Sequence, residues 1–130
     1  MAAVKLPPLL SERPRAVQLV LAVILPVAYG ALTGYFLGVS EVTYTVLALL
    51  GVLGGIGAGF DHVGALIGLR RGIVAGLLFG GAILIAHEIH GADAEADLPD
   101  PESLLVAVTT GLGAAFGALG GWLRERLERR

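Results

Sequence analysis

The sequence predicts an all-α integral membrane protein with four transmembrane helices in a glycine-zipper packed bundle, and three observations predict it. Hydrophobic residues fill 55% of the 130 positions and charged residues only 15%, with a mean hydropathy of +0.81. Soluble domains carry about 25% charged residues. Four stretches, 16–37, 42–60, 72–89 and 103–123, run for 18–22 residues without Lys, Arg or Asp, and a spanning helix needs about 20 mostly apolar residues. A glycine triplet at i, i+4 and i+8 accompanies each of them, the first ending at Gly38, one residue past its stretch. The composition excludes other classes: hydrophobicity is too high for disorder, glycine has no three-residue period, and there is no cysteine for a disulfide scaffold. Apolar runs this long do not alternate as barrel strands must.

The first span, 16–37, follows the basic residues Lys5, Arg13 and Arg15. It exceeds the ~7–15 residues of a signal-peptide apolar region, so it is read as a retained helix. Pro26 at its middle removes one backbone donor and predicts a kink. Ser40 is the expected N-cap of the second helix, 42–60. The third helix has two readings. Gly64, Gly68, Gly72, Gly76 and Gly80 are all four apart, which suits one continuous helix from His62 to about His90, capped by Asp61. Alternatively, residues 62–69 lie flat at the interface and the span begins at Gly72. In both, Asp61 is expected to pair with Arg70 or Arg71. Asp100 is expected to cap the fourth helix, 103–123, with Pro101 in the first position and Glu102 favouring the positive helix end. Residues 124–130 continue that helix, supported by Glu125 and Arg129 at i,i+4. The chain is read as one domain, 1–130, with a tail at 1–15, an acidic outer loop at 90–102 and a basic tail at 124–130.

All nine Lys and Arg residues fall before the first span, between the second and third, or after the fourth. The opposite side holds Glu41, Glu88, Asp93, Glu95, Asp97, Asp100 and Glu102 and no Lys or Arg. The positive-inside rule therefore predicts a multi-pass protein of the cell (plasma or inner) membrane with both termini cytoplasmic.

The glycine triplets are Gly30/Gly34/Gly38, Gly51/Gly55/Gly59, Gly72/Gly76/Gly80 and Gly113/Gly117/Gly121. Residues four apart share a helix face, so each triplet forms a groove into which another backbone can settle. Lipid supplies no hydrophobic drive between helices, and close van der Waals contact must replace it. Four grooves exceed what one small bundle needs to bury, which predicts a homo-oligomer.

Two clusters could carry chemistry. On the outer side His87 and His90 share a helix face at i,i+3, a spacing able to present two imidazoles to a divalent metal. Glu41, Glu88, Asp93, Glu95 and Asp97 around them predict an acidic vestibule that attracts cations. On the inner side Asp61, His62, Arg70 and Arg71 lie at the membrane boundary, as anchors or as a gate. Apart from that metal, no cofactor is implied. No phosphate loop, redox cysteine or nucleophile–base pair occurs, so an enzyme is not expected, nor is nucleic-acid binding. The expected partners are the lipid bilayer, further copies of the chain, and ions. The expected function is a small homo-oligomeric channel or facilitative transporter, favouring cations. The alternative is a non-conducting accessory subunit that docks partner helices through its glycine grooves.

Overall fold

The computed structural model describes residues 5–130; the first four residues of the predicted 1–15 tail lie outside it. The described chain is all-helical, with four helices long and apolar enough to cross a membrane: α1 (Arg15–Leu37), α2 (Glu41–Phe60), α3 (Ala65–His90) and α4 (Leu104–Glu128). This is the architecture of a multi-pass membrane protein. Both chain ends meet at one end of the bundle, where the Arg124 guanidinium donates to the Pro7 carbonyl at 2.7 Å. Large apolar side chains such as Val42, Leu49, Leu66 and Ile89 point outward. That arrangement suits hydrocarbon, where outward apolar surface costs nothing.

Local chemistry sets the helix ends. The Ser40 hydroxyl accepts from the Thr43 N–H at 3.3 Å, giving α2 its expected cap. At α3 both boundaries need positive φ: Gly64 (+105°) turns the chain in and Gly91 (+75°) ends the helix in the left-handed conformation. The helix is continuous from Ala65, so Arg70 and Arg71 lie inside it. Asp61 does not cap α3. It ends α2 and pairs instead with Arg13 at 3.3 Å, because Gly64 turns the chain before α3 begins. Asp100 does not cap α4 either, since the Leu104 and Leu105 N–H groups already donate to the Pro101 and Glu102 carbonyls at 3.0 and 2.9 Å. Beyond the apolar span α4 continues to Glu128, carrying Arg124–Glu128 (2.6 Å) and Glu125–Arg129 pairs.

The disturbance expected at Pro26 takes a specific form. Residues Val20–Ile24 wind as a π-helix, and the Leu25 N–H reaches back five residues to the Val20 carbonyl. In that winding the Leu21 carbonyl would look to residue 26, and proline has no N–H to give. The vacant acceptor is taken by Arg71, whose Nη2 donates to Leu21 O at 3.0 Å.

The helices meet backbone to backbone. A Cβ on Gly72 would overlap the Gly113 carbonyl, and one on Gly34 the Ile83 carbonyl. At every triplet glycine an added Cβ would touch another part of the same chain, whereas Gly54, Gly57, Gly81 and Gly111 face open space. The grooves are thus filled within one protomer, which removes the surplus from which the oligomer was expected. Between α3 and α4 the buried Thr109 hydroxyl lies 2.9 Å from the Gly76 carbonyl and donates across the contact.

Not every expected groove position receives a helix backbone, and two triplet glycines, Gly38 and Gly51, correct the sequence reading. Gly38 is not a groove residue, because α1 ends at Leu37 and Gly38 is its C-cap. A Cβ there would meet side chains, the Ala92 Cβ and the His90 Nδ1, each at 2.9 Å. Gly121 lies in α4 but abuts the turn that leads into α3. Its carbonyl accepts from the Gly64 N–H at 3.0 Å, and a Cβ on it would overlap the Gly64 carbonyl. The α3 backbone follows directly, with the Gly68 Cα 3.2 Å from the same Cβ position, so Gly121 is a groove residue as expected. Gly51 makes room for the Phe79 ring rather than for backbone.

The segments read as a tail and an acidic loop are both held against the bundle. The Leu10 N–H donates to the Asp61 carbonyl at 3.1 Å, and Leu10 itself is buried. In the acidic loop the Glu95 N–H donates to the Leu37 carbonyl at 2.8 Å, and Ala96 and Leu98 pack on the buried cluster of Leu37, Tyr44, Phe79 and Ile83. Backbone polar groups near hydrocarbon need partners, and these bonds supply them.

Candidate functional site

A cavity of about 480 Å³ lies between α1, α2 and α3, with Thr109 and Gly113 of α4 in its wall. It exists because α2 is poor in side-chain volume along this face. Gly51, Gly54, Gly55, Gly57 and Ala58 all line it, and an added Cβ at Gly54 or Gly57 would touch nothing. Leu21, Leu25 and Pro26 of α1 close the far side. Tyr29 and Phe79, stacked with ring centroids 5.8 Å apart, stand in the wall as well. Phe79 also belongs to the buried cluster with Leu37, Tyr44 and Ile83, which separates the cavity from the acidic end of the bundle.

The other end of the cavity is charged. Asp61 and Arg71 line it there. Asp61 is met by Arg13, whereas Arg71 has no carboxylate within 4.0 Å among the described residues. Apart from the Nη2 bond to Leu21, its guanidinium donors go unused: Nε and Nη1 are buried without a partner. Leaving a buried donor unpaired costs about 1–3 kcal/mol, more for a charged group. Arg71 stands about 9 Å along α3 from its start, at ~1.5 Å rise per residue. His62, in the turn before α3, is held below its ordinary pKa of 6.5 by burial and by Arg71, against the opposing pull of Asp61. The imidazole is therefore neutral around pH 7. Arg13, Asp61 and Arg71 together leave one net positive charge here, and Arg71 is the guanidinium with no carboxylate in contact among the described residues.

Of the sequence-predicted inner cluster, the structure brings Asp61, His62 and Arg71 together and leaves Arg70 exposed. Arg13 joins them from the N-terminal segment, 48 residues from Asp61, too far for spacing arguments to reach. Tyr29, at mid-span of α1, is a polar residue of the cavity wall. Its hydroxyl donates to the Leu47 carbonyl at 2.8 Å.

At the acidic end Glu41, Glu88, Asp93, Glu95 and Asp97 do not line this cavity, and all five are exposed. His90 stacks on Tyr35 at 4.5 Å between ring centroids, and the Nδ1 of His87 is buried without a partner. Among the described residues no group of three or more His, Cys, Asp and Glu gathers closely enough to hold a metal ion.

No protein family matches this chain, and no curated protein or solved structure does either.

Proposed function

We propose that the chain is a small membrane transport protein, a facilitative transporter or channel. The observation that carries this reading is the half-open cavity between α1, α2 and α3, charged at one end and separated from the acidic end by a buried apolar cluster. Sites between the helices of a bundle are where ligands are commonly held. In this reading the outer acids concentrate cations at one mouth, and passage requires the Leu37–Tyr44–Phe79–Ile83 cluster to move aside. The glycines at the helix contacts act as zippers, smooth surfaces along which helices can shift without dragging side chains past one another. Each protomer carries its own cavity, so a homo-oligomer is an assembly of such units joined through their lipid-facing sides.

Ion flux into liposomes holding only the purified protein tests the reading. Flux is expected, and Gly57→Leu, which places a side chain in the cavity, should lower it at least about tenfold, the effect of a small misfit at a binding site. Silence under several ions and voltages would overturn transport and leave the accessory subunit.

The distribution of charge supports an orientation with both termini in the cytoplasm, in the plasma or inner membrane. The chain has no native cysteine, so an introduced Ala94→Cys should react with a membrane-impermeant reagent in intact cells and Ser11→Cys should not. The reverse pattern would invert the topology.

A further inference from the structure

We propose that the cavity binds a single-chain amphiphile with a carboxylate head, the head against Arg71 and the apolar body along Leu21, Pro26 and Phe79. The site needs only the cavity, and stands whether or not the protein transports.

Elimination among the lining groups singles out Arg71. Four residues with polar side chains line the cavity: Tyr29, Asp61, Arg71 and Thr109. Tyr29 donates to Leu47 O, Thr109 to Gly76 O, and Asp61 accepts from Arg13. Only Arg71 retains both unused donors and an unmet charge. The remaining wall is aliphatic, aromatic or glycine. A cation would come to rest beside the Arg71 guanidinium, which repels it. A small inorganic anion would satisfy Arg71 and leave the apolar length empty, while a neutral chain would fill that length and leave the guanidinium without a countercharge. An acid with a hydrocarbon body meets both demands, and its planar carboxylate matches the guanidinium fork.

The charge count favours carboxylate over phosphate. A phosphate monoester carries about −1.5 to −2 at pH 7. One Arg would not neutralise it with Asp61 lining the same end of the cavity, whereas a carboxylate brings one charge for one charge. The π-helical turn supplies the resting partner. Without a ligand Arg71 holds the Leu21 carbonyl that Pro26 leaves vacant, and the carboxylate is a stronger, charge-assisted acceptor within reach of the same side chain.

Native mass spectrometry of the purified full-length protein in nonionic detergent, titrated with laurate, dodecanol or dodecyl phosphate, tests the site. Laurate is expected to bind at least about tenfold more tightly than dodecanol, the difference one charge-assisted contact makes. Both Arg71→Leu and Gly57→Leu should abolish that preference. Gly57 has open space at its Cβ position, so its variant keeps the fold and tests the cavity even where Arg71→Leu does not accumulate. Equal binding of laurate and dodecanol, or a Gly57→Leu protein that binds laurate like wild type, would overturn the proposal. Tighter binding of dodecyl phosphate than of laurate would overturn the carboxylate assignment.

Discussion

Gly117→Leu is expected to abolish the folded protein, while Gly111→Leu on the same helix leaves it intact. Gly117 sits where three helices converge. A Cβ on Gly59 of α2 or Gly68 of α3 would strike its carbonyl, and a Cβ on Gly117 itself would meet the Gly68 carbonyl and stand 2.9 Å from the Gly72 Cα. Overpacking a core ordinarily costs about 1–3 kcal/mol because side chains can shift. Here the opposing atoms are backbone in two rigid helices, so the cost lies above that range. It is large against a native stability of about 5–15 kcal/mol. At Gly111 an added Cβ meets nothing, and leucine there gains helix propensity over glycine. Size-exclusion profiles and thermal melts in detergent compare the two directly. Similar melting of both variants would show that backbone contact at Gly117 does not hold the bundle.

Arg124→Met carries the second large effect. The residue is 5% exposed, unusual for arginine. Its Nη1 donates to the Pro7 carbonyl at 2.7 Å, its Nε to Glu128 at 2.6 Å, and its guanidinium lies 5.5 Å from the Phe60 ring centroid. One side chain thus ties the N-terminal segment and the end of α2 to α4. Methionine preserves most of the apolar stem and removes the donors. The bond to the backbone carbonyl accounts for most of the expected loss, about 1–3 kcal/mol. Glu128 adds little, because that carboxylate is partly exposed and solvent screens it. The melting temperature should fall, and limited proteolysis should cut between residues 5 and 14 faster than in wild type. Wild-type proteolysis and melting together would mean that the N-terminal segment is held elsewhere.

Much of the fold was legible because its signals are local. Apolar runs of membrane length, the Ser40 cap three residues before Thr43, and the charged i,i+4 pairs of 124–130 each depend on neighbours within about a turn or two of helix. The glycine ladder running from Gly64 into the third span suited a continuous helix as well as one beginning at Gly72, and the structure makes it continuous from Ala65. The same spacing overreached at Gly38, where α1 has already ended, and at Gly51, which makes room for the Phe79 ring rather than for backbone. Spacing marks a face and says nothing of what arrives there. The cavity was less legible. Asp61, His62 and Arg71 were marked by their chemistry, but Asp61 was assigned to Arg70 or Arg71 on sequence proximity, and its partner is Arg13. Arg124 read as one more positive charge in a tail, although it is buried.

What the sequence by itself determined is the number of helices, their lengths and apolar faces, and the gathering of base and acid at opposite ends. The tertiary structure alone decided which glycine faces which, and hence that the grooves close within one chain. It decided too that Gly54 and Gly57 of α2 border a void, and that Arg71 fills the acceptor left by Pro26. The physical reason is that periodicity fixes the side of a helix on which a residue lies. Its partner across the contact is set by the axial offset between helices, which follows from backbone atoms meeting at van der Waals distance.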